Sequence, residues 1–410
     1  MGRLVQKYGG TSVESYERME KVCQIIKSYK EKGMDLVIVV SAMGRKGAPY
    51  ATDTLIGLCS NINKCPKKRE LDLIMSCGEI ISGTILVNML EEENISSVFL
   101  TGRQAGIITS KNFSDAKILD INTSRIEKEL EAKRVVVVAG FQGGSDDGEI
   151  TTLGRGGSDT SAVAIGKALG CDIVEIYTDV DGIMTADPRV EPHAQVLPFV
   201  DYEEVFQMAD KGAKVIHPRA VQIAKNGDIT LIIKNTFNPS YSGTKIGSIY
   251  KNDCVPGNYE YEEKIMTSVA NKDKIAQIKI NSKEDTFTEI LNEIENNHIS
   301  IDMINFFIEQ KAFVVEEENL DILEEILNKF NIEYEVRRKC AKVTIIGSKI
   351  TGTPGVMAKV VRALSKAKIS LLQTSDSNMT ISCLVNDIDM IDAVHAIHEE
   401  FYLDKSINVR

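Results

Sequence analysis

Thr151-Thr-Leu-Gly-Arg-Gly-Gly-Ser-Asp-Thr-Ser161 carries three glycines, an arginine, an aspartate and several hydroxyls into a segment of helical spacing, Ser158 to Leu169. The apolar run Ile173 to Thr178 follows with strand length. Glycine turn, helix and strand in that order make one unit of an α/β fold. Working outward, Leu36-Val-Ile-Val-Val40 and the valines of Arg134-Val-Val-Val-Val138 are unbroken apolar runs. That is the pattern of parallel strands covered on both faces. Leu4 to Tyr8 reads as a further strand closing on Gly9-Gly10, and Tyr16 to Lys32 as a helix with Met19, Val22, Cys23, Ile26 and Tyr29 on one face. Helical patterns recur at Thr52 to Ile62 and Lys67 to Leu90. These elements predict an open, largely parallel sheet with helices on both faces.

The stretch Asn235 to Glu263 changes character: Pro239, Gly243, Gly247, Pro256 and Gly257 interrupt it with little periodicity, and it reads as a linker. Beyond it two similar modules follow. One has strands at Ile275 to Ile280, Ile299 to Ile304 and Ala312 to Val315, with helices at Thr286 to Asn297 and Leu320 to Phe330. The other has strands at Lys342 to Gly347, Ile369 to Leu372 and Thr380 to Val385, with helices at Gly355 to Ala367 and Asp389 to Phe401. Both have the βαββα order of a ferredoxin-like split βαβ, and Ile299-Ser-Ile-Asp-Met303 echoes Ile369-Ser-Leu-Leu-Gln373. The expected domains are 1–250, 264–338 and 339–410.

Composition narrows the function. A net charge of −11 over 410 residues gives no support to a nucleic-acid or anionic-membrane surface. The N-terminus has no signal-peptide core, and no apolar run reaches the roughly 20 residues of a membrane span, so a cytoplasmic protein is expected. The eight cysteines form no C-x-x-C pair and read as small buried hydrophobes. The five histidines form no ligand pattern, so no protein-held metal site is expected.

Three segments carry chemistry. Lys7-Tyr-Gly-Gly-Thr-Ser12 sets a lysine at a strand end before two glycines, where free N–H groups suit an anion; it is also the form of a plain strand-to-helix turn. In the 151–161 segment the helix N-terminus suits carboxylate or phosphate, and Arg155 suits bidentate carboxylate binding. Ser158 and Asp159 alternatively serve only as caps. Glu175-Ile-Tyr-Thr-Asp-Val-Asp-Gly182, followed by Thr185-Ala-Asp-Pro-Arg189, ends a strand in acidic residues where open sheets bind ligands, though Asp-Gly and Asp-Pro are ordinary turn dipeptides. No P-loop or protein-kinase signature occurs. Residue by residue, the sequence specifies an α/β enzyme with several anion-binding turns.

These motifs, with VVSAMG at 39–44, SCGEIIS at 76–82, AGFQG at 139–143 and GAKVIHPRAV at 212–221, resemble the aspartokinase family in content and order. The resemblance implies an amino-acid-kinase fold followed by two ferredoxin-like βαββαβ modules of ACT type. The reaction it implies is ATP + L-aspartate → ADP + 4-phospho-L-aspartate, with Mg²⁺ accompanying the nucleotide, as the first step of lysine, threonine and methionine biosynthesis. On the family pattern Lys7, Arg155 and Asp159 are catalytic. Ser41, Thr52, Asp53, Glu79, Arg155 and Ser158 belong to the aspartate side, Glu79 receiving the substrate ammonium. Lys7, Gly9, Gly10, Thr178, Asp179, Asp187, Arg189 and Lys214 belong to the nucleotide side. Met184 stands where several relatives carry tyrosine.

The ACT likeness implies feedback by an end-product amino acid, lysine or threonine with lysine preferred, and a homodimer or dimer of dimers through these modules. The second module keeps the family turn Thr353-Pro354-Gly355, whereas Asn281-Ser-Lys-Glu-Asp285 replaces it in the first. The chain reads as monofunctional. A catalytically silent amino-acid sensor, or a kinase of another small carboxylate, are the alternatives.

Overall fold

Alternation sorts the first strands into two faces. Leu4, Leu36, Ile38, Val40, Val135 and Val137 share a core with Met19, Val22, Ile26, Leu86 and Leu90 of two helices, Tyr16–Glu31 and Lys68–Glu92. The intervening Val5, Val37, Val39, Val136 and Val138 are equally buried, and the helix Gly157–Ala168 packs on the strands of Val5, Val37 and Val39. Burial on both faces is why these strands read as unbroken apolar runs.

The computed structural model describes residues 2–213, 216–248, 266–281, 284–307, 310–348, 350–401 and 403. They fall into two units: 2–183, 196–209 and the described part of 214–259; and 184–195, 210–213 and the described residues from 266 onward.

The first unit holds an eight-stranded sheet in the order Phe199–Asp201, Thr244–Gly247, Thr230–Asn235, Ile173–Thr178, Arg3–Tyr8, Asp35–Val40, Val135–Ala139, Ser97–Leu100. Every pairing is parallel except that of Thr244–Gly247 with Thr230–Asn235. A smaller four-stranded sheet, Ile118–Ile121, Ile107–Thr109, Gln142–Gly144 and Ile150–Thr152, lies in the same unit. Thr244–Gly247 corrects the expected linker, which is a strand there; residues 249–265 lie outside the described residues.

Among the described residues the helix Lys68–Glu92 is long and apolar enough to match a membrane span, against expectation. Its buried Asp72 and Glu79, and its packing against Val135–Ala139 and Ser97–Leu100, identify it as a core helix.

The second unit is one six-stranded antiparallel sheet: Asp302–Phe306, Lys311–Glu316, Ser268–Ile280, Tyr334–Ile346, Thr380–Asn386, Gln373–Asp376. The two central strands, 13 residues each, run through both modules. Ala276, Ile278 and Ile280 serve the core under the helices Glu284–Asn296 and Leu320–Lys329. Beyond the register shifts between Lys272 and Gln277, Val269 serves the other core, with Val343, Ile345, Val360, Val394 and Ile397. Ser268–Lys272 thus packs with the second module although it precedes the first.

Two expected strands begin later than the sequence implied, at Asp302 and Gln373. The repeated isoleucines close helices instead. His298 and Lys368 adopt left-handed φ values of 56° and 59°. The amides of Ile299 and Ile369 then donate back to the carbonyls of Ile294 and Leu364, at 3.1 and 2.9 Å. This is a Schellman stop with its apolar residue folded onto the helix.

Candidate active site

Lys7 lies on the strand face that packs against Gly157–Ala168, so its ammonium meets the first turn of that helix. Nζ sits 2.7 Å from Asp159 Oδ1, with both side chains nearly covered. The helix opens at Gly156 in the left-handed region, φ 67°, with no side-chain cap, so the caps-only reading of Ser158 and Asp159 fails. A Cβ on Gly156 would also lie 2.3 Å from the His217 ring. At Gly10 a Cβ would meet the carbonyl oxygens of Gly44 and Ala42 at 2.7 and 2.8 Å, so backbone approach dictates glycine.

These groups open onto one cavity of about 590 Å³. Lys7, Gly10, Ser158 and Asp159 form one side of its lining. Ser41, Thr52, Asp53, Glu79 and Arg155 are also in it, so the structure gathers every expected substrate-side residue. Ser82 Oγ donates to the Ser41 carbonyl at 2.7 Å, fixing the loop to the helix that carries Glu79.

Glu79 is 2 % exposed. Its Oε1 accepts the Ala42 amide at 3.0 Å, while Oε2 has no hydrogen-bond partner among the described residues. Burial pushes its carboxyl up to about 8, against which the Ala42 and helix amide bonds work only in part. Arg155, by contrast, is exposed, and its guanidinium makes no ion pair or hydrogen bond among the described residues. An orphaned carboxylate oxygen and an uncommitted guanidinium in one cavity suit a ligand bearing both an ammonium and a carboxylate.

The raised Glu79 pKa carries a stability consequence. The folded state holds this proton up to pH about 8, whereas an unfolded glutamate loses it near the ordinary 4.5. Stability is therefore lost as pH rises from 4.5 to 8, by an upper bound of about 5 kcal/mol. Glu79→Gln is expected to melt higher than the wild type at pH 8 and close to it at pH 5, as thermal melts at the two pH values will read.

Of the expected nucleotide-side residues Lys7 and Gly10 line this cavity, whereas Gly9, Thr178 and Asp179 of the same unit do not. Thr178 and Asp179 end the strand Ile173–Thr178; Thr178 Oγ1 donates to Asp179 Oδ1 at 3.2 Å, and Arg45 pairs with Asp179 at 2.8 Å. Gly9 N–H donates to the Tyr177 carbonyl at 3.1 Å, joining the glycine turn to that strand. Asp187 and Arg189 pair with each other at 2.6 Å and belong to the second unit. Lys214 lies outside the described residues.

A buried network braces these strand ends from the other face. Glu175 accepts from Gln6 (2.8 Å), Tyr29 (2.7 Å), Tyr177 (3.1 Å) and Lys234 (3.2 Å), and Tyr8 stacks on Tyr177 at 4.8 Å. Sequence reasoning missed Arg45 and Lys234, and it read Glu175 only as one of the acidic residues at a ligand-binding strand end, not as the centre of this buried network. Arg45 sits in a glycine- and lysine-containing loop with no pattern of its own, but Glu175 and Lys234 interrupt buried strands, and that charge within an apolar run was the available signal.

An open, largely parallel sheet with glycine turns and facing charges at its strand ends is the setting of an anion-binding α/β site, and the amino acid kinase family model, which matches residues 2–235, makes it a small-molecule kinase. An ACT domain model matches 335–399. Aspartokinase 1 of Bacillus subtilis is 40 % identical over 412 residues, covering 98 % of this chain and 99 % of that one. An aspartokinase of Thermus thermophilus is 38 % identical over 420 residues, covering 99 % and 100 %. The chain belongs to the aspartokinases. In fold it is similar to E. coli aspartokinase III solved with aspartate and ADP (TM-score 0.79, 22 % identity, covering 98 % of this chain and 100 % of that one). It is likewise similar to Clostridium acetobutylicum aspartate kinase (TM-score 0.78, 24 % identity, covering 97 % and 100 %).

Proposed function

We propose that this aspartokinase transfers the γ-phosphoryl group of ATP to the side-chain carboxylate of L-aspartate. One observation carries the reading: Lys7, the uncommitted Arg155 and the orphaned Glu79 oxygen line a single cavity. Aspartate's ammonium answers Glu79 and displaces its proton; a carboxylate answers Arg155. The second carboxylate is already ionised at neutral pH, so its oxygen attacks the γ-phosphorus without a general base, forming one P–O bond as the bond to ADP breaks. Lys7, oriented by Asp159, offsets the charge on the two anionic reactants. Gly9 and Gly10 admit phosphate oxygens to the backbone, and Thr178, Asp179, Asp187, Arg189 and Lys214 are assigned to the nucleotide.

Mg²⁺ would arrive with the nucleotide as part of the substrate, where it would offset the phosphate charge that Lys7 also faces. The domains are taken as 1–250, 264–338 and 339–410, with Met184–Gln195 and Ser268–Lys272 contributed to the core of the last. The reading further includes a cytoplasmic homodimer or dimer of dimers through the ACT modules, and the opening step of lysine, threonine and methionine synthesis. Lysine is the assigned feedback inhibitor.

A coupled ADP-release assay tests this. Aspartate is expected to drive turnover, and succinate, which lacks the ammonium, to fall at least tenfold short in kcat/KM. Added lysine is expected to inhibit more than threonine. Equal turnover of succinate would remove the role given to Glu79, and inhibition by threonine alone would reassign the effector.

A further inference from the structure

Asp72 is wholly buried on the helix Lys68–Glu92, two turns before Glu79. Its Oδ2 accepts the backbone amides of Ser114 at 3.0 Å and Thr152 at 2.8 Å. Its Oδ1 accepts the hydroxyls of the same two residues, at 3.0 and 2.9 Å. Four donors thus fill the four acceptor positions of one carboxylate. Ser114 is held in the left-handed region, φ 69°, which a serine adopts only under constraint. The Ala116 amide then donates to the Thr152 carbonyl at 2.9 Å, closing the two segments on each other.

Thr152 leads directly into Leu153-Gly154-Arg155-Gly156, where both glycines have positive φ, 74° and 67°. A turn of that kind has little stiffness of its own, and Arg155 has no protein partner to hold it among the described residues. We infer that Asp72 is a positioning residue for the carboxylate-binding side of the site: it fixes Thr152, and hence the Arg155 turn, relative to Glu79. The helix is the ruler, since seven residues of rise set Asp72 and Glu79 about 10.5 Å apart along its axis. Arg155 and Glu79 then stay matched to the spacing between a substrate's carboxylate and ammonium, where small misplacements are costly. This inference rests on the aspartate reading for its substrate and on the hydrogen bonds alone for its anchor.

Asp72→Asn keeps the shape but turns an NH₂ group toward two donors. It is expected to raise the aspartate KM about tenfold or more, with the ATP KM within twofold. Amide hydrogen exchange at residues 151–157 and at Ser114 is expected to quicken, while that of Asp35–Val40 stays unchanged. Thr152→Val, which removes one hydroxyl, is expected to raise the aspartate KM about threefold with the same exchange pattern, and it decides the matter should Asp72→Asn not fold. A merely structural role would lower the melting temperature without splitting the two KM values. Unchanged exchange at 151–157 in a folded variant, or an equal rise in both KM values, overturns the proposal. Absence of aspartate turnover in the wild type would sink the substrate assignment instead, and the exchange result would still decide the anchor.

Discussion

Lys7→Ala is expected to lower kcat about a thousandfold, the scale seen when a cation facing a transferring phosphoryl group is removed. The nearly covered Lys7–Asp159 pair makes the control as informative as the variant. Deleting the lysine strands Asp159 in a site where both side chains are largely shielded, at a stability cost on the order of 3 kcal/mol. The double variant Lys7→Ala/Asp159→Asn is therefore expected to recover melting temperature and leave kcat low. Recovery of both would mean that Lys7 acts only by neutralising Asp159. Near-normal kcat in the single variant would remove it from the chemistry.

Arg155→Ala is expected to act on binding, with the aspartate KM rising about a hundredfold. Two charge-assisted hydrogen bonds to a carboxylate are worth about 3 kcal/mol, which is that factor. Because Arg155 is exposed and makes no ion pair among the described residues, its loss should leave the melting temperature within a degree or two and the ATP KM unchanged. Arg155→Lys should recover only part of the affinity, since a point charge does not reproduce the planar fork. An unchanged aspartate KM in Arg155→Ala would place the substrate carboxylate elsewhere.

The side chains of this cavity were legible because their signals are local. Lys7 stands beside two glycines, Arg155 lies between glycines at a helix start, and Glu79 interrupts an apolar helix. Asp72 was not legible. Its donors sit 42 and 80 residues away, and one aspartate two residues after the charged run Lys67-Lys68-Arg69-Glu70 reads as a solvated position near a helix start. The late strands at Asp302 and Gln373 were missed because an isoleucine after a helix looks the same whether it starts a strand or staples the helix end. Period and composition do not encode that choice. Assignment of Met184–Gln195 to the second unit was equally hidden: its turn dipeptides announce a loop but not the core that receives it.

That last segment bears on how feedback is to be dissected. Met184, Ala186, Val190 and Ala194 are packed into the same core as Val360, Val394 and Ile397, and Thr185 bonds His398 at 2.8 Å. Shortening the gene to end near codon 253 would thus strip twelve residues in the middle of the remaining polypeptide of the wall they lean on, Asp187 among them. A loss of nucleotide affinity in such a fragment would report that collapse rather than release from inhibition, so desensitisation is better sought with single substitutions that leave the C-terminal half in place.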